Sequence, residues 1–194
     1  MKVGLNALPI YTQVSQVRNN NISKSACYSK SLASDVVNFG NSASVFEHSD
    51  GAVFAKAVSD GHRQGSMSYY IEQRDFIPGA SKTAPYYKGV RNLCVNTLFS
   101  FEKGVGTKLM QEAVRLSQKM GCEGRVMLTA SALGSNATTP VPFYSKLGFK
   151  AFNQVLQNEI EAAMEAYKTT GTYDGPDDTV MYLPKENIAA LLAK

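Results

Sequence analysis

Phe101-Glu102-Lys103-Gly104-Val105-Gly106-Thr107-Lys108-Leu109 stands between an apolar run carrying Val90, Leu93 and Val95 and a helical pattern that continues to Met120. From Val105 onward apolar residues fall at 105, 109, 113, 116 and 120, near the helical period, while Lys108, Glu112, Arg115 and Lys119 take other positions. Gly121 supplies a left-handed cap, and a second apolar run from Arg125 to Ala130 follows. Strand, glycine turn, helix and strand make a unit that offers backbone N–H groups to an anion at the start of its helix. Glycines at 104 and 106 let the backbone approach that anion, and the helix dipole adds about half a positive charge there. The turn lacks the third glycine of a dinucleotide fingerprint and the Gly-Lys-Ser/Thr of a Walker loop. Taken alone, it also describes an ordinary tight strand-to-helix turn.

Toward the C-terminus, Thr139 and Pro140 read as an N-cap and first helical residue of a short helix that Gly148 ends. Pro142 is tolerated there because first-turn N–H groups have no intrahelical partner. Leu156, Ile160, Ala163, Met164 and Tyr167 share one face of a further helix, closed by Gly171, and Thr179 to Leu183 reads as a last strand stopped by Pro184. From Asn153 to Leu183 the carboxylates of Glu159, Glu161, Glu165, Asp174, Asp177 and Asp178 meet a single cation, Lys168. Near a substrate cleft, that charge would concentrate a cationic amine.

Toward the N-terminus, Pro78-Gly79 and Pro85 mark a surface loop from Phe76 to Tyr87. Before it lie three strand patterns: Met67 to Gln73, Ala52 to Val58 and Ser44 to His48, separated by the turn signals Asp60-Gly61 and Asp50-Gly51. These antiparallel strands feed the strand at Gly89 to Asn96. Residues 1–41 carry much Ser, Asn and Lys, the polar run Arg18-Asn19-Asn20-Asn21, and no sustained periodicity. Such a segment buries too little apolar surface to offset its ordering entropy. We expect a poorly ordered arm over 1–41 and one domain over 42–194.

The chain of 194 residues is 44% hydrophobic with a formal charge of +4, enough for one substantial core and too mildly basic to call for nucleic acid. Three scattered cysteines, Cys27, Cys94 and Cys122, have neither metal spacing nor a disulfide framework, which reads as a reducing cytoplasm. The sequence has no apolar run long enough to cross a membrane. His48 and His62 are isolated and read as surface residues, and no metal site is expected.

Leu93-Cys94-Val95, Gly104-Val105-Gly106-Thr107-Lys108-Leu109 and Phe143-Tyr144-Ser145-Lys146-Leu147-Gly148-Phe149, in this order and at these separations, resemble the GNAT superfamily of N-acetyltransferases. The resemblance spans about Ser44 to Leu183 and is strongest from Val90 to Phe149. It implies an α/β fold with a mixed, mostly antiparallel sheet flanked by helices, splayed into a central cleft between the strands at Val90 and Arg125. Acetyl-CoA would occupy the opening. Its pantetheine arm would pair near Leu93, Cys94 and Val95, and the backbone of Glu102, Lys103, Gly104, Val105, Gly106 and Thr107 would hold the pyrophosphate. Lys103 and Lys108 would add charge, and Asn136 resembles a cofactor-contacting asparagine.

By the same resemblance Tyr144 is the general acid that protonates the departing CoA thiolate, in a direct attack within a ternary complex. A phenol is protonated at neutral pH and can donate to a thiolate. No carboxylate lies on the strand from Gly89 to Phe99, so Glu72 on the preceding strand is the candidate base. The acceptor would be a primary amine on a small molecule or a protein, and either a monomer or a homodimer fits. The chain departs from the family pattern at several points. Phe101 replaces a usual Arg or Gln, the Val95-to-Gly104 connection is one residue longer, the Asn136-to-Tyr144 spacing is off by one, and the helix pair between the first two strands is missing. Phe101, the altered loop length and the absent strand carboxylate are the features that support the alternative, a CoA-binding or interaction module without catalysis; a nucleotide-binding module of another type is a third reading.

Overall fold

The computed structural model of the chain describes residues 36–37, 43–74, 90–132 and 138–194. The proposed arm thus lies outside the described residues apart from Val36 and Val37, as do Cys27, Asn136 and the loop from 76 to 87. The described strands are β1 (Val36–Val37), β2 (Ser44–Ser49), β3 (Ala52–Ala57), β4 (Arg63–Arg74), β5 (Val90–Ser100), β6 (Val126–Ala130), β7 (Lys150–Ala151) and β8 (Thr179–Tyr182). They form one sheet in the order β1-β2-β3-β4-β5-β6-β8-β7. Every neighbouring pair is antiparallel except β5 and β6. That exception follows from the crossover helix α1 (Val105–Lys119), which returns the chain to the same end of the sheet.

Alternation along the strands decides what is buried. Phe46, Val53, Ala55, Met67, Leu93, Val95, Leu98, Leu128 and Met181 point to one face and form a single core. Into that core α1 inserts Val105, Leu109, Met110 and Ala113; α2 (Val141–Leu147) inserts Val141, Tyr144 and Leu147; α3 (Gln154–Thr170) inserts Ile160; and α4 (Ile188–Leu192) inserts Leu191. Each fully buried large apolar side chain contributes on the order of 1.5–3 kcal/mol. The described helices therefore pack on this face. Opposite it lie Ser66, Ser68, Tyr70 and Glu72, half-buried or exposed.

The expected β2–β3 hairpin is present, with Ser49 paired to Ala52 around Asp50-Gly51. Only Gly51 takes a positive φ, +67°; Asp50 does not. Where the sequence reading placed the β4 strand over Met67 to Gln73, pairing begins already at Arg63. Helix α2 starts one residue later than expected: Pro140 is its N-cap, and Thr139 Oγ1 accepts from Val141 N at 3.4 Å. Asn153 caps α3 as its side chain accepts from Val155 N and Leu156 N.

Candidate functional site

Parallel pairing of β5 with β6 runs Leu93↔Val126, Cys94↔Met127, Val95↔Leu128 and stops, although β5 continues to Ser100 and β6 to Ala130. At the same level the β4–β5 register jumps from Ser68↔Thr97 to Tyr69↔Val95, passing over Asn96. A bulge of this kind bends its strand and increases local twist, which carries the distal half of β5 away from β6. The sheet opens at the residues singled out in the sequence.

Beyond the bulge, β5 leads into the glycine turn. Gly104 is the N-cap of α1 at φ +88°, a conformation that costs an L side chain about 1–2 kcal/mol. Ser100 ties the turn together: its Oγ accepts from Gly106 N at 3.1 Å and donates to Glu102 O at 2.9 Å. Gly106 is buried, and a Cβ there would sit 3.2 Å from Phe143 Cζ and 3.5 Å from Ser100 Cβ. Its lack of a side chain lets α2 lie close against the first turn of α1. Phe101 is 53% exposed, and its N–H bonds to Gln64 O, so it extends the strand end instead of entering the turn.

A cavity of about 420 Å³ follows the first turns of α1, between Lys103, Gly104, Thr107, Lys108 and Gln111 on one side and Phe143, Lys146, Leu147 and Lys194 on the other. Four lysines line it and, among the described residues, no Asp or Glu side chain does, which places several cationic side chains beside a helix N-terminus.

Lys108, which the resemblance assigns to adding charge beside the turn, is only 7% exposed and donates to Ser44 Oγ at 3.2 Å. Ser44 Oγ donates in turn to Gln64 Oε1 at 2.7 Å, and Gln64 Nε2 donates to Glu102 Oε2 at 3.0 Å. Glu102 Oε1 lies 2.6 Å from His62 Nε2, whose Nδ1 lies 2.5 Å from Asp60 Oδ1. A hydrogen-bonded chain thus runs from the β3–β4 turn through Glu102 to α1, sequence-distant groups that only the sheet register assembles. His48, also read as a surface residue, is buried instead, with Nε2 3.4 Å from Oε1 of the fully buried Glu112, which also accepts from Arg115. Helix α1 lies against β2 and β3 as well as β5, so part of its polar stripe is covered.

Two carboxylates on both ring nitrogens of His62 require two N–H donors, hence an imidazolium. The bond to Glu102 first, then that to Asp60, raises the His62 pKa; the backbone bond from His62 is the main cause lowering that of Asp60. A raised histidine pKa stabilises fully below the unfolded value of 6.5 and loses that contribution as pH rises through the folded one. The lowered Asp60 stabilises above 3.8 and loses its part as pH falls below that. Amide exchange protection of the 60–64 and 101–104 segments is therefore expected to weaken as pH rises from below 6.5 through the raised value of His62. In His62→Gln that pH dependence should vanish; an unchanged slope would remove His62 from control of the turn.

Tyr144 is fully buried, with its ring edge-on to Phe143 at 5.0 Å and Phe149 at 5.7 Å between centroids. Glu72 sits on the other face of the sheet, where its Oε2 accepts from Cys94 Sγ at 3.5 Å. The two expected catalytic groups are thus separated by the sheet, and the opening beyond Val95 and Leu128 is the place where both faces meet. Leu93, Cys94 and Val95 are buried at the edge of that opening. Asp177 of the acidic segment accepts from Thr139 Oγ1 at 2.7 Å, tying the loop after α3 to the start of α2. Among the described residues no cluster of His, Cys, Asp and Glu is arranged for a metal, and no helix is long and apolar enough to cross a membrane.

A mixed sheet opened between its two parallel strands, with a glycine-started helix beside the opening, defines an acetyltransferase fold. The chain belongs to the acetyltransferase (GNAT) family, whose model matches residues 23–149. Acetyl transfer is the family's activity and acetyl-CoA its general donor. No curated protein matches the chain. Among similar solved structures is one described as "Crystal structure of bacterial toxin", 13% identical, covering 77% of this chain and 72% of that one, with a TM-score of 0.45. That likeness is too loose to argue from.

Proposed function

We propose that this protein is a cytoplasmic, acetyl-CoA-dependent N-acetyltransferase that acts on a primary amine by direct attack in a ternary complex. The observation that carries the reading is the end of β5–β6 pairing at Val95↔Leu128 while both strands run on. It leaves strand-like backbone beside Val95 for an extended amide-bearing arm. The open space at Gly104 and the lysine-lined groove suit a phosphate-bearing substrate, so the residues fit acetyl-CoA. In this reading Leu93 to Val95 orient the pantetheine arm and the turn from Glu102 to Thr107 receives the pyrophosphate. Tyr144 gives its phenolic proton to the sulfur as the carbon–sulfur bond breaks. Glu72, or water, takes the proton that the amine nitrogen loses.

Among acetyl-CoA, ATP and NAD, acetyl-CoA alone is expected to raise the melting temperature, by roughly 5–10 °C at about a hundred times Kd. Release of free CoA thiol with a panel of primary amines then identifies the acceptor. Absence of any shift with acetyl-CoA would refute the reading. The complete burial of Tyr144 favours a second one, a module that binds CoA without catalysis; a thermal shift with no thiol release under any amine would establish it.

A further inference from the structure

We propose that the end of the α1–α2 groove farther from Gly104 selects the 3′-phosphorylated nucleotide, so that Lys146 and Lys194 make the protein distinguish coenzyme A from dephospho-coenzyme A. The inference rests on the coenzyme reading above and adds to it a specificity that neither the family match nor the glycine turn supplies. Along α1 the groove is bounded by Gly104, Thr107 and Gln111, which recur at helical-turn spacing on one side. It therefore extends roughly 10 Å from the helix start at 1.5 Å per residue.

The two ends are built differently. At the first, Gly104 opens the helix N-terminus and Lys103 stands beside it. At the other, Gln111 Nε2 donates to Leu191 O at 3.1 Å, which anchors α4 and the residues after it against α1. Lys194 Nζ donates to Lys146 O, and Lys146 Nζ rests 4.6 Å from the centroid of the Tyr167 ring. That cation–π contact restrains the lysine at the groove rim and reduces the entropy lost when an anion binds. Among the described residues no Asp or Glu side chain lines the groove to neutralise these ammonium groups.

A ligand that satisfies both ends carries two separate anions: a pyrophosphate for the helix start and a second phosphate further along. Coenzyme A has that arrangement, because its ribose bears a 3′-phosphomonoester about one sugar away from the pyrophosphate. Dephospho-coenzyme A offers the first anion only. The phosphomonoester carries close to two negative charges at neutral pH and pairs well with ammonium groups.

Calorimetry on the full chain tests this with coenzyme A and dephospho-coenzyme A as the two probes, for the unmodified protein and for Lys146→Gln, Lys194→Gln and the double variant. The unmodified protein should bind coenzyme A about 10- to 100-fold more tightly, the range of one or two charge-assisted hydrogen bonds. In the double variant the ratio should fall to within about threefold of unity, nearly all of the loss falling on coenzyme A, and raising salt should shrink the unmodified protein's preference. Equal affinities in the unmodified protein, or an equal loss for both probes in the double variant, would overturn the selection while leaving the coenzyme site in place. If neither probe binds, the coenzyme reading fails and the selection with it.

Discussion

Gly104→Leu is expected to lower acetyl-CoA affinity by more than about a hundredfold while the protein stays folded. Nothing lies within 4 Å of the position where a Cβ would be added, so the substitution makes no clash in the free protein. Its cost in stability is the positive φ of +88°, about 1–2 kcal/mol, or roughly 2–8 °C in melting temperature for a chain of this size. The new side chain stands at the mouth of the groove, over the turn that would receive the pyrophosphate. Gly104→Ala provides the comparison, since it carries the same backbone strain with little bulk, and should lose much less affinity. Gly106 gives a less clean test: it is buried against Phe143, and a larger residue would push α2 from α1 and destabilise by about 1–3 kcal/mol. Titration calorimetry of the two Gly104 variants, with melting curves alongside, reads both effects. Unaltered affinity in Gly104→Leu would place the phosphates elsewhere.

Tyr144→Phe is expected to lower kcat by about 10²–10⁴, the range of a lost general acid, with little change in the Michaelis constant for acetyl-CoA. The substitution keeps the ring and therefore its edge contacts with Phe143 and Phe149, so stability should change by no more than about 1 kcal/mol. A readout specific to proton donation is the leaving group: an acyl donor whose thiol is more acidic needs less protonation, and the defect should shrink with it. Removal of a merely structural hydroxyl would slow both donors alike. An unchanged kcat with both donors would make Tyr144 a core residue, consistent with its complete burial, and the leaving thiolate would then take its proton from water.

Helix α1 and the strands on either side of it were legible in the chain because their signals are local. Apolar spacing at 105, 109, 113 and 116, glycines before and after the helix, and alternating runs in the strands each depend on residues within a turn or two of one another. Three short motifs in order carried the resemblance that implied the GNAT fold, and the family match agrees with it. Partners far apart in the chain carried no comparable signal. His62 and Glu102 are brought together because β4 pairs with β5, and Lys108 meets Ser44 because α1 crosses β2; neither contact leaves a periodic trace. His48 and Glu112 look like surface residues by composition and are buried for the same reason. The lysine groove needed the third dimension most. Lys103 and Lys108 stand beside the glycine turn, but Lys146 and Lys194 join them only once α2 folds against Gly106 and the chain after α4 is anchored to Gln111. Local propensity and patterning set the order and type of the elements, whereas the convergence of charge was decided by which faces packing brought together.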